Sequence, residues 1–302
     1  MTKISAVVSV YNAEGKIEKC LKSLAFADEI IVVNNSSTDK TLEKVKKLAS
    51  KVFTKENNPM LNVNKNFGFS KTQFEWIINL DADEEVSDEL KLEIKNIVES
   101  NPSENGFWIP RKNIIFGKWI KHAGWYPDYQ LRLFRKSKGG FEEKHVHEMI
   151  KVDGETGYLK GEIIHYHYQA INEFIEKHYR IYAPNEAAQL AEAGYKFNWL
   201  DSIRMPFNEF ISRFFAREGY KDGFHGLMLS LLMSFYHLLI FSLLWEKNKF
   251  ESQEDGNILP DIKKEIDKSA KDLKYWFLNE KIKSSKSSIK KIMLRAKRKF
   301  SS

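Results

Sequence analysis

A single cysteine, Cys20, stands in the 302 residues. It excludes an intramolecular disulfide and any cysteine-rich zinc site. No Gly-rich phosphate loop follows the first apolar run, which argues against a nucleotidyltransferase. No H-x-H-x-D cluster lies near the first strands either, as a phosphohydrolase of that kind would need. The last 22 residues, Lys281 to Ser302, contain no acid and nine basic residues. The whole chain has 48 Lys plus Arg against 41 Asp plus Glu, so Met1 to Glu280 holds 39 against 41 and sums to −2. The formal charge of +7 is therefore a property of the tail. A basic nucleic-acid-binding body is excluded, because that requires a basic face on the folded domain. Phe224 to Trp245 lacks Asp, Glu, Lys and Arg for 22 residues. That run is long enough for a bilayer span, yet Ser230, Ser234, Tyr236, Ser242 and two histidines also suit a buried core helix. The N-terminus turns polar at Tyr11–Asn12, too early for a signal peptide, so cytoplasmic residence is expected.

What is present is an alternation of strands and helices. Ile4–Val10 is a short β-branched run, as in a strand buried on both faces. Ile17, Leu21 and Leu24 predict a helix over Glu14–Leu24. Glu29–Val33 and Lys51–Thr54 read as strands, with a helix over Thr41–Ala49 capped by Ser37 or Thr38. Phe67–Phe74 reads as a helix and Trp76–Leu80 as a fourth strand. Ser87 starts a helix running to Ser100. This pattern predicts a parallel sheet with helices on both faces. Ligands of such sheets bind beyond the carboxyl ends of the strands. Three polar clusters, Tyr11–Asn12, Asn34–Asp39 and Asp81–Glu85, are thereby placed along one edge. From Gly106 to Tyr168 short strands (FWIPRKNIIF, YQLRLFRK, HEMIKV, TGYLKG, EIIHYHY) continue the sheet, and helices follow Asn172. The expected divisions are a catalytic domain at 1–180, a helical region at 181–280 and a basic amphipathic tail at 281–302. A tail with Ile289, Ile292, Met293, Leu294 and Phe300 among its basic residues suits an anionic membrane surface.

The chemistry concentrates at Asp81-Ala82-Asp83, directly after an apolar strand. Two carboxylates there can hold Mg²⁺ or Mn²⁺, which in turn grips a diphosphate. His165 and His167 are two apart, so on a strand they face one side. Asp128 lies beside the aromatic pair Trp125–Tyr126, which can fill the core.

These residues bring the chain to a known pattern. VVSVYNAEGKIEKCLKSL, EIIVVNNSSTDKT and KNFGFSKTQFEWIINLDADEEV resemble, in order, the landmarks of family 2 glycosyltransferases. WYPDYQLRLFRK, GGFEEKHVHE and EIIHYHY resemble the branch containing bacterial lipopolysaccharide core glucosyltransferases. The resemblance implies a GT-A fold, a Rossmann-like α/β architecture, here with a C-terminal helical extension. It implies inverting transfer of a hexose, glucose above others, from a UDP-sugar to a lipid-linked saccharide such as lipopolysaccharide inner core. Another surface polysaccharide or a glycoprotein glycan is the alternative acceptor, and an inactive membrane-bound scaffold the non-enzymatic alternative. Residue by residue, the resemblance puts Tyr11, Asn12 and Glu14 at the base and ribose, with Asn34 where an aspartate is usual, followed by Ser37 and Asp39. Lys65 and Asn66 flank the diphosphate, and Arg132 neutralises phosphate. Asp81 and Asp83 match the metal-binding pair, joined by His165. Glu148, in His147-Glu148, is the implied base, with Asp128 second. The implied setting is peripheral attachment to the inner face of the cytoplasmic membrane.

Overall fold

The structure is a computed structural model that describes residues 2–58, 60–144, 148–251 and 257–299. His147 and Phe300 lie outside the described residues. The chain divides into two compact units, one of residues 1–121 and 125–169, the other of 122–124 and 170–302.

In the first unit, β1 (Ile4–Val10), α1 (Ile17–Ser23), β2 (Glu29–Asn34), α2 (Thr41–Leu48) and β3 (Lys51–Thr54) alternate as the periodicity requires. There follow α3 (Leu61–Ser70), β4 (Trp76–Asp81), β5 (Glu84–Val86) and α4 (Asp88–Ser100). Then come β6 (Gly106–Ile115), β7 (Lys118–Trp119), β8 (Asp128–Arg135), β9 (Gly139–Gly140), β10 (Lys151–Val152), β11 (Thr156–Tyr158) and β12 (Ile163–Tyr168). The main sheet runs β3-β2-β1-β4-β8-β6-β12-β5, with β7 and β11 also on β6, while β9 and β10 pair separately. Strands β3, β2, β1 and β4 are parallel, and β8 is antiparallel to both β4 and β6. This is the α/β fold with a C-terminal helical extension that the resemblance implies.

β1 shows why the layers close. Ile4, Ala6, Val8 and Val10 face one core with Ile17, Leu21, Leu90, Ile94 and Val98 from α1 and α4. Val7 faces the opposite core with Ile31, Ile77, Phe69 and Phe134. Alternation on a strand sends neighbours to opposite faces, so a nearly continuous apolar run serves two cores. α4 begins where Ser87 Oγ accepts the Leu90 N–H at 3.2 Å, with Asp88 and Glu89 in the first turn. It ends at Asn101, whose φ of 46° is left-handed.

Three local expectations change. Ser37 and Thr38 do not cap α2, because both are bound to Asn12; Lys40 occupies the cap position. The helix expected at Phe67–Phe74 is α3, Leu61–Ser70. Its first turns carry buried Asn62, Asn64 and Lys65, so no apolar stripe marks its start. Of the described residues of HEMIKV, Glu148–Val152, only Lys151–Val152 is strand, paired with Gly139–Gly140.

The second unit is helical: α5 (Ile171–Lys177), α6 (Ala183–Glu192), α7 (Asp201–Ile211), α8 (Phe224–Lys247), α9 (Leu259–Ser284) and α10 (Ser288–Lys299). α8 packs on α6 and α7 and buries Leu229, Met233, Tyr236, Ile240 and Leu244 on one side. Phe224, Leu231, Phe235, Leu238 and Trp245 remain exposed. Among the described residues it is the one helix long and apolar enough to cross a membrane, by length and composition.

Candidate active site

The site forms at the carboxyl ends of β1, β2 and β4, where sheet register aligns Val10 with Asn34 and Ser9 with Asp81. Two loops are zipped together there. Asn12, at a left-handed φ of 44°, receives the Thr38 N–H on its side-chain oxygen at 2.8 Å and donates its own N–H to Ser37 Oγ at 3.0 Å. The Glu14 N–H reaches Asp39 Oδ2 at 3.1 Å, and Glu14 Oε2 accepts the Lys40 N–H at 2.8 Å. Asn34 is buried, and its amide oxygen accepts the Ser37 N–H at 3.3 Å. Tyr11 is exposed at the rim. Tyr11, Asn12, Glu14, Asn34, Ser37 and Asp39 thus belong to one preformed pair of loops.

Asp81 ends β4 between two cations. Lys65 Nζ lies 2.6 Å from Oδ1 and Arg132 Nη2 lies 2.6 Å from Oδ2. Burial pushes the Asp81 carboxyl up, but Arg132 and then Lys65 outweigh it and hold it well below the usual range. Lys65 reaches this point because α3 lies tight on the sheet. A Cβ at Gly68, one turn on, would stand 2.6 Å from Val7 Cγ1. Arg132 Nη2 also binds Glu84 Oε1 at 2.8 Å, and Glu84 Oε2 accepts the Asp81 N–H at 2.9 Å. Arg111 contacts the same Glu84 oxygen at 3.3 Å and donates from Nε to Asp128 Oδ2 at 2.9 Å. A ladder of alternating charge therefore runs from Lys65 through Asp81, Arg132, Glu84 and Arg111 to Asp128. Each buried charge in it has an opposite neighbour, as burial demands.

Asp83 has different company. Its Oδ1 lies 3.8 Å from His165 Nε2 and its Oδ2 lies 3.9 Å from Lys16 Nζ. The antiparallel register of β12 on β5 sets His165 opposite Glu84, next to Asp83. The tautomer of His165 follows from its neighbours. Asn113 Nδ2 donates to the Trp125 carbonyl at 2.7 Å and to Asp128 Oδ2 at 3.2 Å, so its Oδ1 faces His165 Nδ1 at 2.7 Å. An amide oxygen only accepts, so the proton sits on Nδ1 and Nε2 presents a lone pair. Burial, with Arg111 and His167 beside it, holds the His165 imidazole well below its ordinary pKa and hence neutral. A carboxylate oxygen and an imidazole lone pair facing each other repel unless a cation lies between them. The donor chemistry fits a divalent metal there. Among the described residues no three His, Cys, Asp or Glu side chains cluster to hold a metal. Two protein ligands leave positions for phosphate oxygens and water, which is how Mg²⁺ is usually held.

The remaining expected residues sit nearby or turn elsewhere. Asn66 donates to the Phe141 carbonyl at 2.8 Å and to Glu143 Oε1 at 2.7 Å, and accepts the Phe141 N–H at 3.0 Å. It thus ties α3 to the segment leading to Glu148. The Glu148 carboxylate accepts the Glu143 N–H at 2.8 Å and also the Lys144 N–H. Asp128 is shared among Arg111, Asn113 and Gln130, whose Nε2 lies 3.0 Å from Oδ1. Trp125 meets His167 edge-on at 5.8 Å, and Tyr126 meets Trp119 at 5.5 Å. Burial, with a hydrogen bond to Glu162, pushes the Tyr126 phenol up to about 12. Sequence reasoning held Glu84 only as part of the Asp81–Glu85 cluster and missed Arg111 and Asn113. Their one signal is register: Arg111 lies opposite Asp128, and Asn113 opposite His165.

The chain is similar to several known proteins. An uncharacterized glycosyltransferase of Rickettsia typhi, RT0209, is 28% identical over 287 residues, covering 89% of this chain and 97% of the relative. The lipopolysaccharide core biosynthesis glycosyltransferase LpsC of Rhizobium meliloti is 23% identical over 256 residues, covering 83% and 94%. The crystal structure of S. aureus TarS 1-349 with UDP-GlcNAc aligns with a TM-score of 0.43 at 15% identity, covering 85% of this chain and 94% of that one. The sequence model of glycosyl transferase family 2 matches residues 5–159, which holds the loops, the Asp81–Asp83 turn and the charge ladder. With half its length matched to that model, the chain belongs to glycosyl transferase family 2.

Proposed function

We propose that this glycosyltransferase moves a hexose, glucose, from a UDP-sugar to a hydroxyl of a lipid-linked saccharide, with inversion. The observation that carries the reading is the paired arrangement at the end of β4. Asp83 and His165 present two facing acceptors for a cation, while Asp81 holds Lys65 and Arg132 in place beside them. A bound Mg²⁺ or Mn²⁺ supplies charge neutralisation for the departing diphosphate.

The chain's own residues do the rest. The zipped loops carrying Asn12, Asn34, Ser37 and Asp39 receive the base and ribose; Asn34 offers a neutral amide there. Lys65 and Arg132 supply fixed positive charge where negative charge develops, and Glu84 keeps Arg132 from moving. Glu148 takes the proton of the attacking hydroxyl, and Asn66 positions its segment. The catalytic part is residues 1–180, the helical region 181–280, and the tail 281–302 attaches the enzyme to an anionic membrane surface on the cytoplasmic side. The name of the Rhizobium relative, a lipopolysaccharide core enzyme, supports a lipid-linked acceptor.

The test is a donor screen with purified protein and Mn²⁺, reading nucleotide release across UDP-, GDP- and dTDP-sugars. UDP release is expected to dominate, with UDP-glucose the best donor. Release from GDP- or dTDP-sugars alone overturns the assignment to uracil. Absence of release from every donor overturns the enzymatic reading.

A further inference from the structure

An amphipathic helix on a soluble surface turns its apolar stripe inward and its charges outward. α10 does the reverse. Ile289, Ile292 and Met293 are 74%, 66% and 68% exposed, and Ala296 is exposed on the same stripe, at spacings of three and four. The side turned toward α9 carries Lys291, Leu294 and Arg298 instead, all half-buried. Arg298 Nη1 donates to Asn279 Oδ1 on α9, and its guanidinium lies 5.1 Å over the Tyr275 ring. A polar contact and a cation–π contact thus fix the roll of the helix, and that roll points its apolar face away from α9.

We propose that this outward face of α10 inserts into an anionic phospholipid surface. The proposal rests on the membrane reading above and names the surface that executes it. Lys290 and Lys297 border one edge of the stripe, and Arg295 and Lys299 the other. Basic residues along both borders, with no acid from Lys281 to Ser302, match lipid phosphates on either side of an inserted apolar strip. A second copy of the chain is a poor occupant, since its own α10 would bring like charges against these. The arrangement also separates two contributions. The basic residues attract the chain to the surface, and Ile289, Ile292 and Met293 enter it.

Cys20 is buried, so a cysteine placed on α10 can be labelled alone. The full chain carrying Ile292→Cys, with an environment-sensitive dye on that residue, is mixed with phosphatidylcholine vesicles with and without phosphatidylglycerol. A blue shift, quenched by acyl-chain spin labels, is expected with the anionic vesicles. The triple variant Ile289→Ser, Ile292→Ser, Met293→Ser is expected to co-sediment at least about tenfold less well with them. Its UDP release without acceptor should equal that of the parent, which shows that the body is folded. A dye that stays in water, or a triple variant that sediments like the parent, overturns insertion by this face. If deleting Lys281–Ser302 then still abolishes sedimentation, attachment through the tail survives while the face does not. A parent chain that ignores anionic vesicles overturns both. A blue shift that appears with rising protein concentration alone assigns the face to a second copy. One that appears with polyglutamate but not with vesicles assigns it to an acidic protein. Either result overturns the lipid assignment.

Discussion

The two units break opposite rules. The α/β unit hides charge: Glu84 is fully buried, and Lys65 and Arg132 nearly so. The helical unit shows apolar surface. Among the described residues, seventeen of its large hydrophobic side chains are exposed, against six in the α/β unit. Charged groups inside and large apolar groups outside both cost stability, so each marks where folding yields to function. In the α/β unit the buried charges converge on the end of β4, where the proposed function puts the diphosphate. In the helical unit eight of those exposed groups form stripes on α8 and α10, the faces that the membrane proposal offers to a lipid surface.

That contrast can be broken most sharply at Asp83. Asp83→Ala should reduce Mn²⁺-dependent UDP release by about a thousandfold while leaving the thermal midpoint unchanged. Activity near that of the parent would remove Asp83 from the metal site. Next is the hidden charge itself. Glu84→Ala leaves Arg132 and Arg111 without the carboxylate between them and should cost about 3 kcal/mol in urea unfolding. A loss below about 0.5 kcal/mol would show the ladder to be solvated in solution. Glu148→Gln should slow transfer to an acceptor by about a hundredfold without weakening donor binding. If it leaves transfer intact and Asp128→Asn abolishes it, the base is Asp128.

On the helical side, deleting Lys281–Ser302 should weaken sedimentation with acidic liposomes on the order of tenfold, more at low salt, with donor hydrolysis retained. Unchanged binding would reduce the charge excess to a solvated tail. The smallest effect concerns pH. Burial lowers the His178 imidazole to about 4, and its ring stacks on Phe174 at 3.8 Å. The folded chain therefore refuses a proton that the unfolded chain binds below about 6.5. Stability should fall as pH drops from about 6.5 toward about 4, and that slope should shrink in His178→Phe. An identical slope in parent and variant would place the titration elsewhere.

Much of the α/β unit was legible in sequence because strands buried on both faces leave uninterrupted apolar runs. Ile4–Val10, Glu29–Val33 and Trp76–Leu80 are such runs, and the polar residues just beyond them had to share an edge. The start of α3 was not legible. This helix carries Asn62, Asn64 and Lys65 inward, and the apolar period vanishes there. Arg111 and Asn113 were equally silent, since nothing local distinguishes them from other polar residues on a strand.

By itself the sequence determined that a −2 body precedes a tail of nine bases, that strands alternate with helices, and that carboxylates follow the fourth strand. These are local properties: charge, period and order along the chain. Only tertiary structure decided that Asp81 holds cations while Asp83 faces a neutral histidine. Only tertiary structure decided that α10 lies with its apolar side out. Both depend on which strand or helix pairs with which, and in what register or roll. A pairing between residues 83 and 165, or 279 and 298, is set by packing across the fold, and no window along the chain contains it.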